Sequence, residues 1–123
     1  MRLNAMRPAT PALAAAILFA AAPAFAHAFL QSAAPQVGST VSAAPREVRV
    51  TFSEAVEPAF SKVTVSGPPG FGGTGPVTSE DGARTLAVPL RRPLPPGDYV
   101  VSWRVVSTDS HTTQGTFHFE LKP

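Results

Sequence analysis

Tyr99-Val100-Val101-Ser102-Trp103-Arg104-Val105 is the stretch that decides the fold of this 123-residue chain. Apolar side chains recur at every second position from Tyr99 to Val105, and Ser102 and Arg104 fall between them. A period of two is typical of a β-strand that packs one face against a core, whereas a helix would show a period of 3.6 residues. We therefore predict that the longest strand spans residues 99–107.

Other segments alternate in the same way and are separated by turn-forming residues. The further predicted strands are 48–52, 63–65, 86–90 and 117–121. Glycine and proline cluster between them and indicate turns and loops. Since no segment beyond residue 26 has a sustained helical period, the fold class is predicted to be all-β. A single Greek-key β-barrel or sandwich domain, Ig-like and with about seven strands, fits the pattern best.

The first 26 residues have the features of a secretory signal peptide. Arg2 and Arg7 give a positive start, residues 12–22 are unbroken and apolar, and Ala24-Phe25-Ala26 offers small residues around a cleavage point. An uncleaved anchor is the alternative, but the apolar run is shorter than the roughly 20 residues that span a membrane. We predict a cleaved signal peptide at 1–26, a β domain at 27–123, and a periplasmic location.

Composition excludes several kinds of site. The chain has no cysteine, which rules out disulfides, thiolate zinc sites and iron–sulfur clusters. Both methionines, Met1 and Met6, lie in the leader, so the β domain has no soft sulfur ligand for Cu(I). Without Arg2 and Arg7 the domain carries eight basic and eight acidic residues, a balance that does not favour nucleic-acid binding.

Three residues form a candidate metal site. Cleavage after Ala26 would make His27 the first residue, and its free α-amine and ring Nδ1 could then chelate one metal ion. Asp109 and His111 follow the longest strand, and in an extended chain residues i and i+2 project to the same side. One amine, two imidazoles and one carboxylate form an N,N,N,O set that suits tetragonal Cu(II).

The same residues have simpler interpretations. Asp109 and His111 could cap a turn or hydrogen-bond to each other without binding a metal. His118 lies between two inward-facing phenylalanines and is predicted to be a solvent-facing strand residue. A hydrolase that uses Asp109, Ser110 and His111 is rejected, because Ser110 would point away from the other two and the chain has no nucleophile elbow.

The motifs of this sequence extend over the whole β domain. They are His27-Ala28-Phe29-Leu30, Phe52-Ser53-Glu54, Leu94-Pro95-Pro96-Gly97-Asp98-Tyr99, and the W-R-V-V-S-x-D-x-H signature from Trp103 to His111. In these motifs the chain resembles the CopC family of periplasmic copper-resistance proteins. The resemblance implies a Greek-key β-barrel that binds one Cu(II) per chain in a histidine brace, formed by His27, Asp109 and His111. Glu54 matches a family acid near the site and is implied to be an outer or weak ligand.

The resemblance also implies a function. It predicts a non-catalytic copper carrier or buffer in copper homeostasis and resistance, which exchanges Cu(II) with an inner-membrane partner of the CopD type. We expect a monomer with no membrane anchor after cleavage and no nucleic-acid partner. One alternative is a histidine-brace copper oxidase or monooxygenase, which the core-facing Tyr99 and Trp103 disfavour because such enzymes need an aromatic binding face. The other is an Ig-like interaction module without metal.

Overall fold

The computed structural model describes residues 28–123; the predicted signal peptide and His27 lie outside the described residues. The alternating segments form eight strands, with no α-helix among residues 28–123 and one 3-10 turn at Pro58–Phe60. The strands are β1 (Leu30–Ala34), β2 (Thr40–Val41), β3 (Glu47–Phe52), β4 (Lys62–Ser66), β5 (Thr78–Glu80), β6 (Thr85–Pro89), β7 (Gly97–Val106) and β8 (Thr112–Leu121).

The strands form two four-stranded sheets. The first sheet has the order β1-β3-β6-β5 and the second has the order β2-β8-β7-β4. All pairs are antiparallel except β2 with β8. Because the first four strands alternate between the two sheets, the chain crosses repeatedly over a shared core. The prediction of an all-β sandwich is confirmed.

The β7–β8 ladder is the longest pairing in the described chain. It begins with Gly97 opposite Leu121 and ends with Val106 opposite Thr112. Directly opposed residues share a face of the sheet, so each inward residue of β7 meets an inward residue of β8. Tyr99 and Phe119 are such a pair, and their rings stack with centroids 5.1 Å apart. The end of this ladder at Val106 and Thr112 fixes where the following loop begins and ends.

The core consists of the alternating apolar residues from both sheets, as predicted. The largest fully buried side chains are Tyr99, Phe52, Phe119 and Leu86. The buried hydroxyl of Tyr99 donates a hydrogen bond to the carbonyl oxygen of Pro95 at 2.5 Å, and burial raises the pKa of Tyr99. In many β-sandwich domains a tyrosine hydroxyl hydrogen-bonds to the backbone a few residues upstream and so stabilises the corner that precedes the strand.

Trp103 is only partly buried, although the sequence pattern placed it in the core. Its ring packs edge-on against Phe52, with centroids 5.3 Å apart. Trp103 lies opposite Gly115, and a Cβ at position 115 would come within 2.6 Å of the indole. The missing side chain of Gly115 therefore makes the room in which the indole lies.

β6 departs from the predicted alternation. Thr85, Leu86, Ala87 and Val88 are all buried, so both faces of this strand are covered, whereas β3, the other interior strand of the sheet, keeps the alternation. Ala87 pairs with Arg49 on one side and with Thr78 on the other. The side chain of Arg49 reaches across β6 to Glu80 on β5 and so covers Ala87 from the outer face.

Candidate metal centre

The loop 107–111 connects β7 to β8 and carries two of the predicted site residues. The Ser110 amide donates to the carbonyl oxygen of Ser107 at 2.8 Å, and the Ser107 amide donates to the carbonyl oxygen of His111 at 2.8 Å. Ser110 has a φ of 74°, in the left-handed region. The prediction of an extended chain at 109–111 is therefore wrong, since the backbone turns here to enter β8.

The turn nevertheless brings Asp109 and His111 together. The Oδ2 atom of Asp109 lies 3.1 Å from Nδ1 of His111. The two side chains have exposed fractions of 37% and 46%, respectively, so a dissolved ion can reach both. The expected proximity is confirmed, and so is the simpler expectation that the two side chains contact each other.

Ser107 holds the other oxygen of the Asp109 carboxylate. The Ser107 hydroxyl donates to Oδ1 of Asp109, and the backbone amide of His111 also contacts Oδ1, at 3.4 Å. The hydroxyl of Ser107 is the main reason why the pKa of Asp109 is lowered. Burial is the next largest effect and opposes this, while each contact with His111 adds a smaller lowering of the pKa. Asp109 is therefore an anionic carboxylate at neutral pH, as a cation ligand must be.

Ser107 contacts the candidate site but was not among the residues predicted for it from the sequence. Only 1% of Ser107 is exposed, and it forms an isolated bridge with Val56 beyond the end of β7. Like Tyr99, Val101 and Val105, Ser107 occupies an odd-numbered position whose side chain faces the core. A serine at an inward position next to a candidate acid was the available signal, because a buried hydroxyl needs a hydrogen-bond partner.

The first described residues lie beside this loop. Ala28 is fully buried, and its carbonyl oxygen accepts a hydrogen bond from Oγ1 of Thr113 at 2.7 Å. The amide of Phe29 donates to Oγ of Ser53 at 2.9 Å, and the carbonyl oxygen of Phe29 accepts from the Ser53 amide at 2.8 Å. The segment is thus held between the start of β8 and the end of β3.

Glu54 follows Ser53 and is exposed. Its neighbour Ala55 accepts a hydrogen bond from the Thr108 amide at 3.3 Å, so this segment runs alongside the loop 107–111. Within residues 28–123 the partners of the Asp109 carboxylate are Ser107 and His111, and Glu54 is not among them. The structure brings the segment of Glu54 close to the loop without linking its side chain to Asp109.

His118 is exposed on β8 opposite Val100, as the sequence pattern predicted. Six residues of β8 separate it from His111. Across residues 28–123 no three side chains of histidine, cysteine, aspartate or glutamate form a metal-binding group. The described part of the site therefore consists of one carboxylate and one imidazole. Nor does any helix within that range have the length and apolar character needed to cross a membrane.

Comparisons with known proteins agree with this architecture. The sequence profile of the CopC domain matches residues 30–122. Protein YobA of Escherichia coli K12 is 40% identical over 90 residues, which cover 72% of this chain and 73% of YobA. Copper resistance protein C of Escherichia coli is 35% identical over 96 residues, which cover 72% of this chain and 75% of the relative.

Solved structures show the same fold. CopC from Methylosinus trichosporium OB3b superposes with a TM-score of 0.66 at 31% identity, over 79% of this chain and 95% of that one. PcoC, a methionine-rich copper resistance protein from Escherichia coli, superposes with a TM-score of 0.68 at 32% identity, over 79% of this chain and all of PcoC. The profile match and these relatives together show that this chain belongs to the CopC family of copper resistance proteins.

Proposed function

We propose that this protein is a periplasmic Cu(II) carrier or buffer that acts in copper homeostasis and resistance. A signal peptide at 1–26 directs export, and its removal exposes the α-amine of His27. One Cu(II) is then held by that amine, by the imidazoles of His27 and His111, and by the carboxylate of Asp109. The observation that carries the proposal is the contact between Asp109 and His111 in a loop beside the buried residue Ala28.

The chemistry of the described pair supports a cation site. Asp109 is ionised at neutral pH because Ser107 donates to one of its oxygens, while its other oxygen faces the ring of His111. Carboxylate oxygen and imidazole nitrogen are donors that Cu(II) accepts, and copper heads the affinity order of the divalent first-row metals. Both side chains are partly exposed, so copper can enter and leave without unfolding.

The placement of Ala28 supports the second half of the site. Consecutive Cα atoms are about 3.8 Å apart across a trans peptide, so His27 is tethered close to Ala28. Thr113, which binds the carbonyl oxygen of Ala28, lies only two residues beyond His111. This bond to Ala28 supports the proposal that the first residue of the exported chain acts together with the downstream pair. Glu54 is proposed as an outer or weak ligand, since its segment runs alongside the same loop.

The absence of sulfur supports the oxidised ion as cargo. Beyond residue 26 the chain has neither methionine nor cysteine, whereas PcoC is described as methionine-rich. Nitrogen and carboxylate oxygen suit Cu(II), while thioether and thiolate suit Cu(I). We therefore assign a site that binds Cu(II) only. We further propose that the protein is monomeric and non-catalytic, and that it exchanges Cu(II) with an inner-membrane partner of the CopD type.

Copper titration of the exported protein tests the proposal. Calorimetry and EPR should show one tightly bound Cu(II) per chain. Asp109→Ala and His111→Ala should each weaken binding by more than about 100-fold, since loss of a mere outer-shell partner already costs about 10- to 100-fold. His118→Ala is the matched control and should bind like the parent protein. Absence of stoichiometric binding, or equal binding by the Asp109 variant, would refute the proposal.

A further inference from the structure

An open groove of about 440 Å³ lies on the second sheet. It crosses β4, β7 and β8 and is lined by the ring of Trp103 beside Gly115, together with basic and neutral polar side chains. Those side chains are Lys62, Thr64, Ser102, Arg104, Gln114 and Thr116. In the candidate metal centre none of them takes part. The groove is therefore separate from the proposed copper site.

The two cations of the groove lie directly opposite each other. Lys62 of β4 pairs in register with Arg104 of β7. Directly opposed like charges destabilise a sheet. Within residues 28–123 neither cation forms an ion pair, and no carboxylate lines the groove. The fold thus keeps two adjacent positive charges without a counter-charge of its own.

On the outer face of the first sheet, by contrast, a basic side chain is paired with acidic ones. There the guanidinium of Arg49 contacts the carboxylates of both Glu47 and Glu80. Glu80 lies on β5, two strands away, so the fold readily brings an acid to a base on a sheet face. The pairing of Lys62 with Arg104 has no such acid, although the hydroxyls and the amide around it offer further hydrogen bonds.

We propose that this groove binds an acidic, extended segment of a partner protein. In an extended peptide, carboxylates at positions i and i+2 lie on one side and about 6.6 Å apart. Neighbouring strands are about 4.8 Å apart, so two such carboxylates can meet the flexible side chains of Lys62 and Arg104. The hydroxyl of Thr116 and the amide of Gln114 lie on β8, on the other side of Arg104 from Lys62, where they can hydrogen-bond to the peptide backbone as it continues. The Thr64 hydroxyl donates to the carbonyl oxygen of Ser102 at 3.5 Å and can still accept a hydrogen bond from the peptide.

The shape of the groove favours a peptide over a small molecule. Small-molecule sites are concave and bury 70–90% of their ligand, whereas this groove is open along a sheet face. β4 is also the edge strand of the second sheet, so a partner segment can approach from the side without a clash. The binding of this segment does not depend on copper and stands apart from the proposed cargo.

In sequence, the groove residues lie close to both ends of the loop 107–111. Arg104 precedes the end of β7 at Val106 by two residues, and Gln114 follows the start of β8 at Thr112 by two. A partner that docks here therefore sits beside the loop that carries Asp109 and His111. Docking gives the protein a means of orienting that loop toward a second protein.

The test uses two synthetic peptides, citrate as a small acidic competitor, and three double variants of the exported protein. One ten-residue peptide alternates Glu with Thr, and the other replaces each Glu by Gln. Amide chemical shifts from NMR titration give both the affinity and the location. K62E/R104E reverses the charge of the groove, and R91E/R92E makes the same change in charge at two exposed arginines outside it. K62Q/R104Q serves if the reversed variant does not fold.

The acidic peptide should shift amides of β4, β7 and β8, and the shifts should weaken with added salt. K62E/R104E should lower its affinity by more than about tenfold, since charge complementarity sets the recognition, while R91E/R92E should change it by less than about twofold. The Gln peptide should not bind. Equal binding of the two peptides, equal binding by K62E/R104E, citrate binding as tightly as the peptide, or no shifts at millimolar peptide would each overturn the proposal.

Discussion

Thr113 donates its side-chain hydrogen bond to the carbonyl oxygen of Ala28 at 2.7 Å, across a separation of 85 residues in sequence. This bond fastens the start of the described chain to the start of β8. Since Thr113 lies two residues beyond His111, the bond also sets how far residue 28 can stand from the loop 107–111. The proposed copper site depends on that distance, because its two halves come from opposite ends of the domain.

Replacing Thr113 should weaken copper binding. Thr113→Val preserves the shape of the side chain but leaves the buried carbonyl oxygen of Ala28 without its donor, at a cost of about 1–3 kcal/mol in the free energy of unfolding. Cu(II) affinity should fall by about tenfold, which is the lower end of the usual loss when a residue that supports a metal ligand is removed. Calorimetric titration and thermal denaturation measure the two effects. Thr112→Val, at an exposed neighbouring position, should change neither; parent-like affinity in Thr113→Val would contradict the assigned role.

Ser107 should affect both stability and the copper site. Ser107→Ala removes the hydroxyl that donates to the charged carboxylate of Asp109, so the free energy of unfolding should fall. The carboxylate then loses its fixed orientation, so Cu(II) affinity should fall and the EPR spectrum should change. Ser110→Ala, in the same loop but exposed, should leave both unchanged. An unaltered EPR spectrum in Ser107→Ala would show that Ser107 only supports the fold.

The contact between Arg49 and Glu80 should make stability depend on pH. The hydrogen bond from Arg49 lowers the pKa of Glu80 in the folded protein from its ordinary value of 4.5. The contribution of this carboxylate to stability is therefore complete above pH 4.5 and is lost as the pH falls through the folded pKa. Urea unfolding of Glu80→Gln should show a deficit at pH 7 that shrinks as the pH falls below 4.5 and disappears once the Glu80 carboxylate of the folded parent protein is protonated. Asp98→Asn is the control, and a deficit that persists in acid would contradict the assignment.

Gly115 should not tolerate a side chain. Gly115→Ala would place a Cβ 2.6 Å from the indole of Trp103, and overpacking of this kind costs about 1–3 kcal/mol. The melting temperature should fall, and Trp103 fluorescence should shift because the indole must give way to the new Cβ. Gln114→Ala, at the adjacent exposed position, should have little effect. An unchanged emission spectrum in Gly115→Ala would argue against the close packing of these two residues.

The long strands were predictable because each of them buries one face. In β7, Tyr99, Val101 and Val105 alternate with polar or exposed residues, and the register with β8 follows from the same alternation. β5 could not be predicted, because all three of its residues are exposed and its place in the sheet comes from pairing with β6. The burial of Ala87 likewise depends on Arg49 reaching across a strand, a contact that no local pattern encodes.

Within the candidate site, the ligand residue types could be predicted from the sequence, but their geometry could not. The proximity of Asp109 and His111 was expected from an extended chain, yet it arises from a turn at Ser110 with a left-handed backbone. Ser107 was not predicted, because its hydrogen bond to Asp109 depends on the backbone turn at Ser110. Ala28 gave no signal at all, since an alanine becomes informative only through the bond that Thr113 makes to its backbone.

The most direct test of the proposed copper site concerns the first nitrogen of the exported chain. Cu(II) affinity is compared between protein that begins at His27 and protein that carries one extra glycine before it, each confirmed by mass spectrometry. We expect the extension to weaken binding by at least about 100-fold and to change the EPR spectrum, because the α-amine then becomes an amide, which cannot serve as a ligand until it loses its proton. Equal affinity and identical spectra for the two forms would contradict the account.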